Sequence, residues 1–480
     1  MLITAWRIKM PVAVKKQPLE SVDKNHQNYF DLVNFFLNGD VPVQEKERKA
    51  SYFLKKEIQN LNYNSNDFPA DVSKIHDWIL KNNKLQCAEY QAYLERRNSG
   101  AGREYFKNVG QAFEFLIKVA PVKQVDGSWL FSITHYWNDP VFRDLIQIYL
   151  EELGLGLAKS NHVCLFNDFI INLGLEHFVL DLEDEYYHQA AIQLALAYAP
   201  PEFIPEIIGF NLAYEQLPLH LLITNYELQE LGIDSKYFNL HITIDNIDNG
   251  HANLSIKAFE KIYSKFNDKR SFIEKMKAGF ALSDKGLSSR QIIKNLNLDS
   301  LVIKILKRKA LVGNVIHNDK CTFNNKTINS WLASPESVEE FVDVLIDKKW
   351  IRLGRNPEES RFWKLISQED GKMFGVFTAT EKQIIYDWIA GESAPDADLN
   401  ARRIQLEHED QTDFMFSFLS DGELEDIQHQ IYETGNLAMK INKLLPYLAP
   451  HAHHHETGLW CTQRFTDYLF PFLSNQKFTH

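Results

Sequence analysis

Between Tyr105 and about Phe266, apolar residues recur three and four positions apart, the period of a helix that buries one face. Ala112, Phe113, Phe115, Leu116, Val119 and Ala120 form one such segment, and Leu145, Ile146, Ile148, Tyr149 and Leu150 a second. Val163, Leu165, Phe166, Phe169, Ile170 and Leu173 form a third. Gly127, Asn138-Asp-Pro140, Gly174 and Pro200-Pro201 punctuate them with residues that end helices or start turns. Amphipathic helices joined by short connections predict a helical bundle.

The flanks differ. Tyr29–Leu37 carries a helical pattern, and Asn64-Ser-Asn-Asp67 before Phe68-Pro69 is a turn signal. After Lys275 the pattern is more mixed: Gly286–Arg290 and Gly313-Asn314 are breaks, and Lys348–Gly354 fits a short strand or a turn. Glu392–Asn400 fits an exposed loop. The expected organisation is a helical N-terminal region over 1–100, a bundle over 101–275 and a mostly helical C-terminal domain over 276–480, in an all-α chain.

Composition narrows the function. The 480 residues are 45% apolar and 24% charged, which is ordinary for a globular chain. The net charge is -12 and no Lys or Arg stripe stands out, which argues against a nucleic-acid partner. Cys87, Cys164, Cys321 and Cys461 lie far apart without CxxC spacing, as expected of reduced thiols in a cytoplasm. Met1–Met10 lacks the apolar core of a signal peptide. The most apolar stretch, Ala190–Leu222, is interrupted by Gln193, Pro200, Pro201, Glu202, Pro205 and Glu206, so no membrane span is expected.

Candidate chemistry concentrates in Tyr237–His251. On a helix, His241, Asp245, Asp248 and His251 share one arc of roughly 120° and could face one centre. Imidazole with carboxylate suits iron, manganese or zinc. The same stretch, His-Ile-Thr-Ile-Asp, alternates and is β-branched, as a strand would be. Polar residues on one arc are also more often a solvated face. Glu152 and His162 repeat the ten-residue interval, with Gly154 and Gly156 allowing a local break between them. His451-Ala-His-His-His455 reads as a solvated loop, because adjacent histidines cannot all converge.

Glu151-Glu-Leu-Gly154 with His162 and Asn172-Leu-Gly-Leu175, followed by Leu231–His241 leading into Asp245 and a further His, resembles the haem-oxygenase-like diiron oxidases, also called iron-containing redox enzymes. Tyr105–Asn138, containing Ala120–Leu130, resembles a longer branch of that family. The resemblance covers about residues 105–265 and implies a haem-oxygenase-like helical bundle that holds two iron ions and takes O2 as co-substrate. It implies Glu152, His162, His241 and Asp245 as metal ligands. The family's usual last His falls seven after the first, which is Asp248 here. His251, turned inward by a bulge near Gly250, is the favoured replacement, and Asp248 the substitute. Glu114, on an apolar helical face, is the candidate for the family's first-helix carboxylate. Glu215, in a similar setting, is a candidate catalytic base or extra ligand. A salt-bridged structural role is the alternative for both.

The activity implied is oxidation of a small organic substrate at C–H or N, with or without bond cleavage, drawing on an electron donor outside the chain. A homodimer is compatible with it. The competing readings are a haem-binding oxygenase and a metal-free helical interaction protein that keeps the fold.

Overall fold

The computed structural model describes residues 28–61, 68–69, 71–244, 250–313, 317, 320–393 and 422–474. Helices α1 (Tyr29–Leu37), α2 (Val43–Gln59) and α3 (Ile75–Asn98) precede the bundle segment. That segment contains α4 (Val109–Lys123), α5 (Arg143–Glu152), α6 (His162–Asn172), the single turn α7 (Glu176–Val179), α8 (His188–Ala197) and α9 (Ile204–Tyr214). It continues through α10 (Leu219–Glu230), α11 (Lys236–Ile244), α12 (His251–Lys265) and α13 (Lys269–Leu282). Beyond it lie α14 (Ser289–Lys294), α15 (Leu298–Gly313), α16 (Ile328–Trp331), α17 (Pro335–Asp347), α18 (Arg361–Ser367) and α19 (Ala379–Ala390). Toward the C-terminus lie α20 (Leu424–Glu433), α21 (Leu437–Leu444) and α22 (Glu456–Leu469).

The only sheet among the described residues is a two-stranded hairpin, Thr322–Phe323 with Lys326–Thr327. The fold is all-α, as the periodicity predicts. Lys348–Gly354 forms turns with Lys349 at φ 58°, and is not a strand. The Asn64–Asp67 turn signal and most of the 392–400 loop lie outside the described residues. No helix among the described residues is long and apolar enough to cross a membrane.

Local chemistry sets the helix starts. Asn108 caps α4 by accepting from the N–H of Gln111, and Asn161 caps α6 by accepting from that of Cys164. Each satisfies an N–H that the helix itself leaves unpaired. The apolar faces collect into two clusters. One unites α1, α2, α5, α8, α9, α12 and α13 with α20–α22. The other unites α4, α6, α10 and α11 with α15, α17 and α19. The buried His and carboxylate side chains described next come from helix ends drawn from both clusters.

Candidate metal centre

α5 ends at Glu152 and α6 begins at His162, so the ten-residue interval is a helix, a reversal and a second helix, not one helical face. The reversal runs through Gly154 (φ 61°), Leu155 (φ 52°) and Gly156 (φ 83°). Left-handed backbone is free of Cβ strain at glycine but costs a residue such as leucine roughly 1–2 kcal/mol. The result sets His162 Nδ1 2.6 Å from Glu152 Oε2.

α11 supplies His241. Its Nδ1–H donates to the carbonyl of Tyr237, 2.8 Å away, which turns Nε2 toward Asp126 Oδ2 at 2.9 Å. Asp126 lies in the turn after α4 and also accepts from the Tyr237 hydroxyl at 2.7 Å. Gly127 (φ 75°) makes this approach possible: a Cβ there would stand 2.7 Å from the Glu152 Cβ. Asp126, Glu152, His162 and His241 thus each bring one donor atom within 4.8 Å of the others.

A second group adjoins the first. Glu215, at the C-terminal end of α9, places Oε2 3.1 Å from His251 Nδ1, and Glu152 Oε1 stands 3.2 Å from the same nitrogen. His251 Nε2 faces Glu151 Oε2 at 2.9 Å. Glu152 therefore turns one oxygen to each group. All six residues of the two groups are no more than 8% exposed.

The structure alters several sequence-based expectations. The helix does not run through to His251: Gly250 is extended (φ -89°, ψ -166°) and α12 starts at His251, so a helix break brings this imidazole inward where a bulge was expected. Asp245 and Asp248 lie outside the described residues. Glu114 joins neither group; its Oε1 accepts from Lys118 Nζ at 2.6 Å. The carboxylate delivered from that end of the bundle is Asp126, three residues past the end of α4. Asp126-Gly127 was visible only as a turn, and nothing in its spacing marked a ligand. The turn at His451–His455 is packed, not solvated, with His453 buried.

The donor set of this cluster suits a cation. With Nδ1–H committed to Tyr237, neutral His241 directs a lone pair at a carboxylate oxygen. His162 Nδ1 is paired with Glu152 Oε2 at 2.6 Å, and its Nε2 has no hydrogen-bond partner among the described residues. Buried polar atoms normally find partners, and unpaired buried charge is costly. Donor–donor distances of 2.6–3.2 Å resemble the edges of a metal site, since bonds of about 2.1 Å at right angles set ligand atoms about 3 Å apart. The residues fit a metal.

Residues 113–284 match the iron-containing redox enzyme family. Asp126, Glu152, His162, Glu215, His241 and His251 all fall inside the matched segment. No curated protein and no solved structure gave a match. An iron-containing redox family, together with a buried His and carboxylate cluster able to hold metal, supports an oxidoreductase.

A cavity of about 350 Å³ reaches the cluster, with Asp126, Glu152, Glu215 and His241 in its wall. Trp129, Tyr214, Lys285 and Arg290 also line it. Its size falls in the range of small-molecule sites.

The metal-free site holds protons that a metal must displace. Burial alone would lower the His251 pKa, but the Glu215 carboxylate and bonds to Glu151 and Glu152 raise it well above the ordinary histidine value. Burial pushes the Glu215 carboxyl up. Against burial, Lys123 and His241 bring Asp126 down to about 2. Protonated His251 cannot ligate, so proton competition strengthens as pH falls through its raised pKa, whereas Asp126 stays ionised. Ferrous affinity is therefore expected to fall about tenfold per pH unit of acidification below that pKa for each proton displaced. Anaerobic titration calorimetry in buffers of different ionisation enthalpy measures the protons released. Equal affinity and no proton release between about pH 6 and 8 would contradict this assignment.

Proposed function

We propose that this chain binds two iron ions and uses O2 to oxidise a small organic molecule. The observation that carries the reading is Glu152, whose two oxygens face two different His and carboxylate groups. Asp126, His162 and His241 would hold one ion with it, and Glu215 and His251 the other. Bound iron supplies the electrons and open coordination positions that O2 activation at C–H or N requires.

The protein's own part is orientation, exclusion of water and proton placement. The Tyr237 carbonyl selects the His241 tautomer that leaves Nε2 as the donor atom. Glu151 accepts from Nε2–H of His251, which frees Nδ1 to face the metal. Such outer hydrogen bonds fix ring orientation and raise ligand basicity. Trp129 and Tyr214 also line the cavity, and their rings would limit the water that reaches the cluster. Glu215 also lines that cavity, and its Oε1 has no hydrogen-bond partner among the described residues. Its raised pKa suits it to take or return a proton at that oxygen before metal loads or when a ligand bond loosens. The substrate and an electron donor outside the chain are the partners this reading requires.

The test is metal analysis of chain purified without chelator, followed by anaerobic Fe(II) reconstitution and exposure to air-saturated buffer. The expected result is two irons per chain, no haem absorbance, and O2 uptake that depends on the iron. A haem band points instead to a haem oxygenase. Protein that binds no iron at all, while folded, leaves only the interaction-protein reading.

A further inference from the structure

The reversal that joins Glu152 to His162 is held from outside the segment matching the iron-containing family. Gly156 lies so close beneath α22 that a Cβ there would stand 2.4 Å from the carbonyl oxygen of Leu459 and 2.6 Å from the amide nitrogen of Gln463. Tyr149, on the last turns of α5, donates its hydroxyl proton to the carbonyl of Leu448. Cys164 Sγ approaches the carbonyl of His454 at 3.6 Å. At the centre of this contact is Asn161, fully buried one residue before His162. Its Oδ1 accepts from the N–H of Cys164 at 3.1 Å, and its Nδ2 donates to the carbonyl of Leu153 at 3.2 Å. The other partner of Nδ2 is His453 Nδ1, at 3.1 Å, from 292 positions along the chain.

We infer that His453 is a positioning residue of the metal centre, acting through Asn161 to hold His162 opposite Glu152. The C-terminal segment 422–474 thereby completes a site whose ligands it does not supply. The inference rests on the metal reading above.

The physical argument is orientational. A carboxamide can turn by half a rotation and exchange its oxygen for its nitrogen. Only one of the two orientations lets Asn161 cap α6 and also close the turn onto Leu153. With one Nδ2 hydrogen given to Leu153, the second points at His453 Nδ1, which takes it as the unprotonated nitrogen of a neutral imidazole and adds a third contact that the flipped amide would lose. Burial keeps that imidazole neutral, bringing its pKa down to about 3. Without His453, one Nδ2 hydrogen is left buried without a partner and the first turn of α6 gains freedom. His162 is the first residue of that turn.

Ferrous affinity of the full chain, measured anaerobically by competition with a chromophoric chelator, tests this in His453→Ala, His453→Gln, His454→Ala and His162→Ala. Outer-sphere changes of this kind cost about 10- to 100-fold in metal affinity. A loss of that size is expected for His453→Ala, with helical circular dichroism unchanged and the visible bands of the Co(II)-loaded protein shifted. His453→Gln, whose side-chain oxygen can accept the same bond, should stay within about threefold. His454→Ala should stay close to the parent, because the Nδ1 of His454 makes no hydrogen bond among the described residues. Parental affinity in His453→Ala overturns the inference, as does an equal loss in all three C-terminal variants, which would mark simple packing. His162→Ala separates the two levels: if it too binds iron like the parent, the metal reading itself falls, and this inference with it.

Discussion

Under the proposed two-iron function, Glu152→Gln is expected to lower iron from two ions per chain to less than one and to abolish iron-dependent O2 uptake. The substitution keeps the side chain's size, so the reversal between α5 and α6 can still form. It replaces one carboxylate oxygen by an amide nitrogen, which carries two hydrogens and no lone pair for a metal. Whichever way the amide turns, one of the two groups loses its shared donor, and both lose the negative charge. Burial opposes that charge, yet His162 and His251 hold the Glu152 carboxyl well below the ordinary carboxylate range. The protein therefore maintains the anion in a buried site, and the most direct use for it is to balance bound cations. Iron analysis after anaerobic reconstitution reads the outcome. Retention of two ions would show that Glu152 only orients His162 and His251.

The second large effect is expected at His251. His251→Ala should lose the ion proposed for Glu152 and Glu215 and keep the one proposed for the Asp126 group, giving about one iron per chain and no O2-dependent turnover. The metal-free variant should also be destabilised by about 3 kcal/mol, because it leaves Glu215 and Glu152 buried beside each other without the imidazolium that separates them. Asp248→Asn should keep both ions. Iron content and denaturant unfolding of both variants provide the check. The reverse pattern, iron lost from Asp248→Asn and kept in His251→Ala, would make Asp248 the ligand and His251 a structural ion-pair partner.

Much of this was legible in the chain, and the exceptions are instructive. Tyr29–Leu37 is a helix with the bounds its pattern suggests. His241 lies on a helix although Ile242, Thr243 and Ile244 favour strands, because Tyr237 and Phe238 bury the face that the neighbouring helices require. Glu114 drew attention as a carboxylate on an apolar face, but Lys118 stands four positions later, the spacing at which a helix pairs the two. Asp126 carries no signal of a ligand in the sequence, because a turn Asp before a Gly is ordinary. Its importance appears only once Gly127 lets Glu152 approach. His453 looked like part of a polar tract, and became a buried acceptor only when the C-terminal segment docked on the α5–α6 reversal.

The sequence by itself determined the all-α class, the main helices and the supply of His and carboxylate donors. These follow from the gain in burying an apolar stripe, which repeats every few residues and so leaves a local pattern. Only the tertiary structure decided which donors face one another. His241 meets Asp126 across 115 positions, and His251 meets Glu151 across 100. Both meetings depend on where α5 stops, at Glu152, and where α12 starts, at His251, and on how two apolar clusters dock these helices together. Docking of distant faces depends on the shape of the whole core, and no window along the chain contains it.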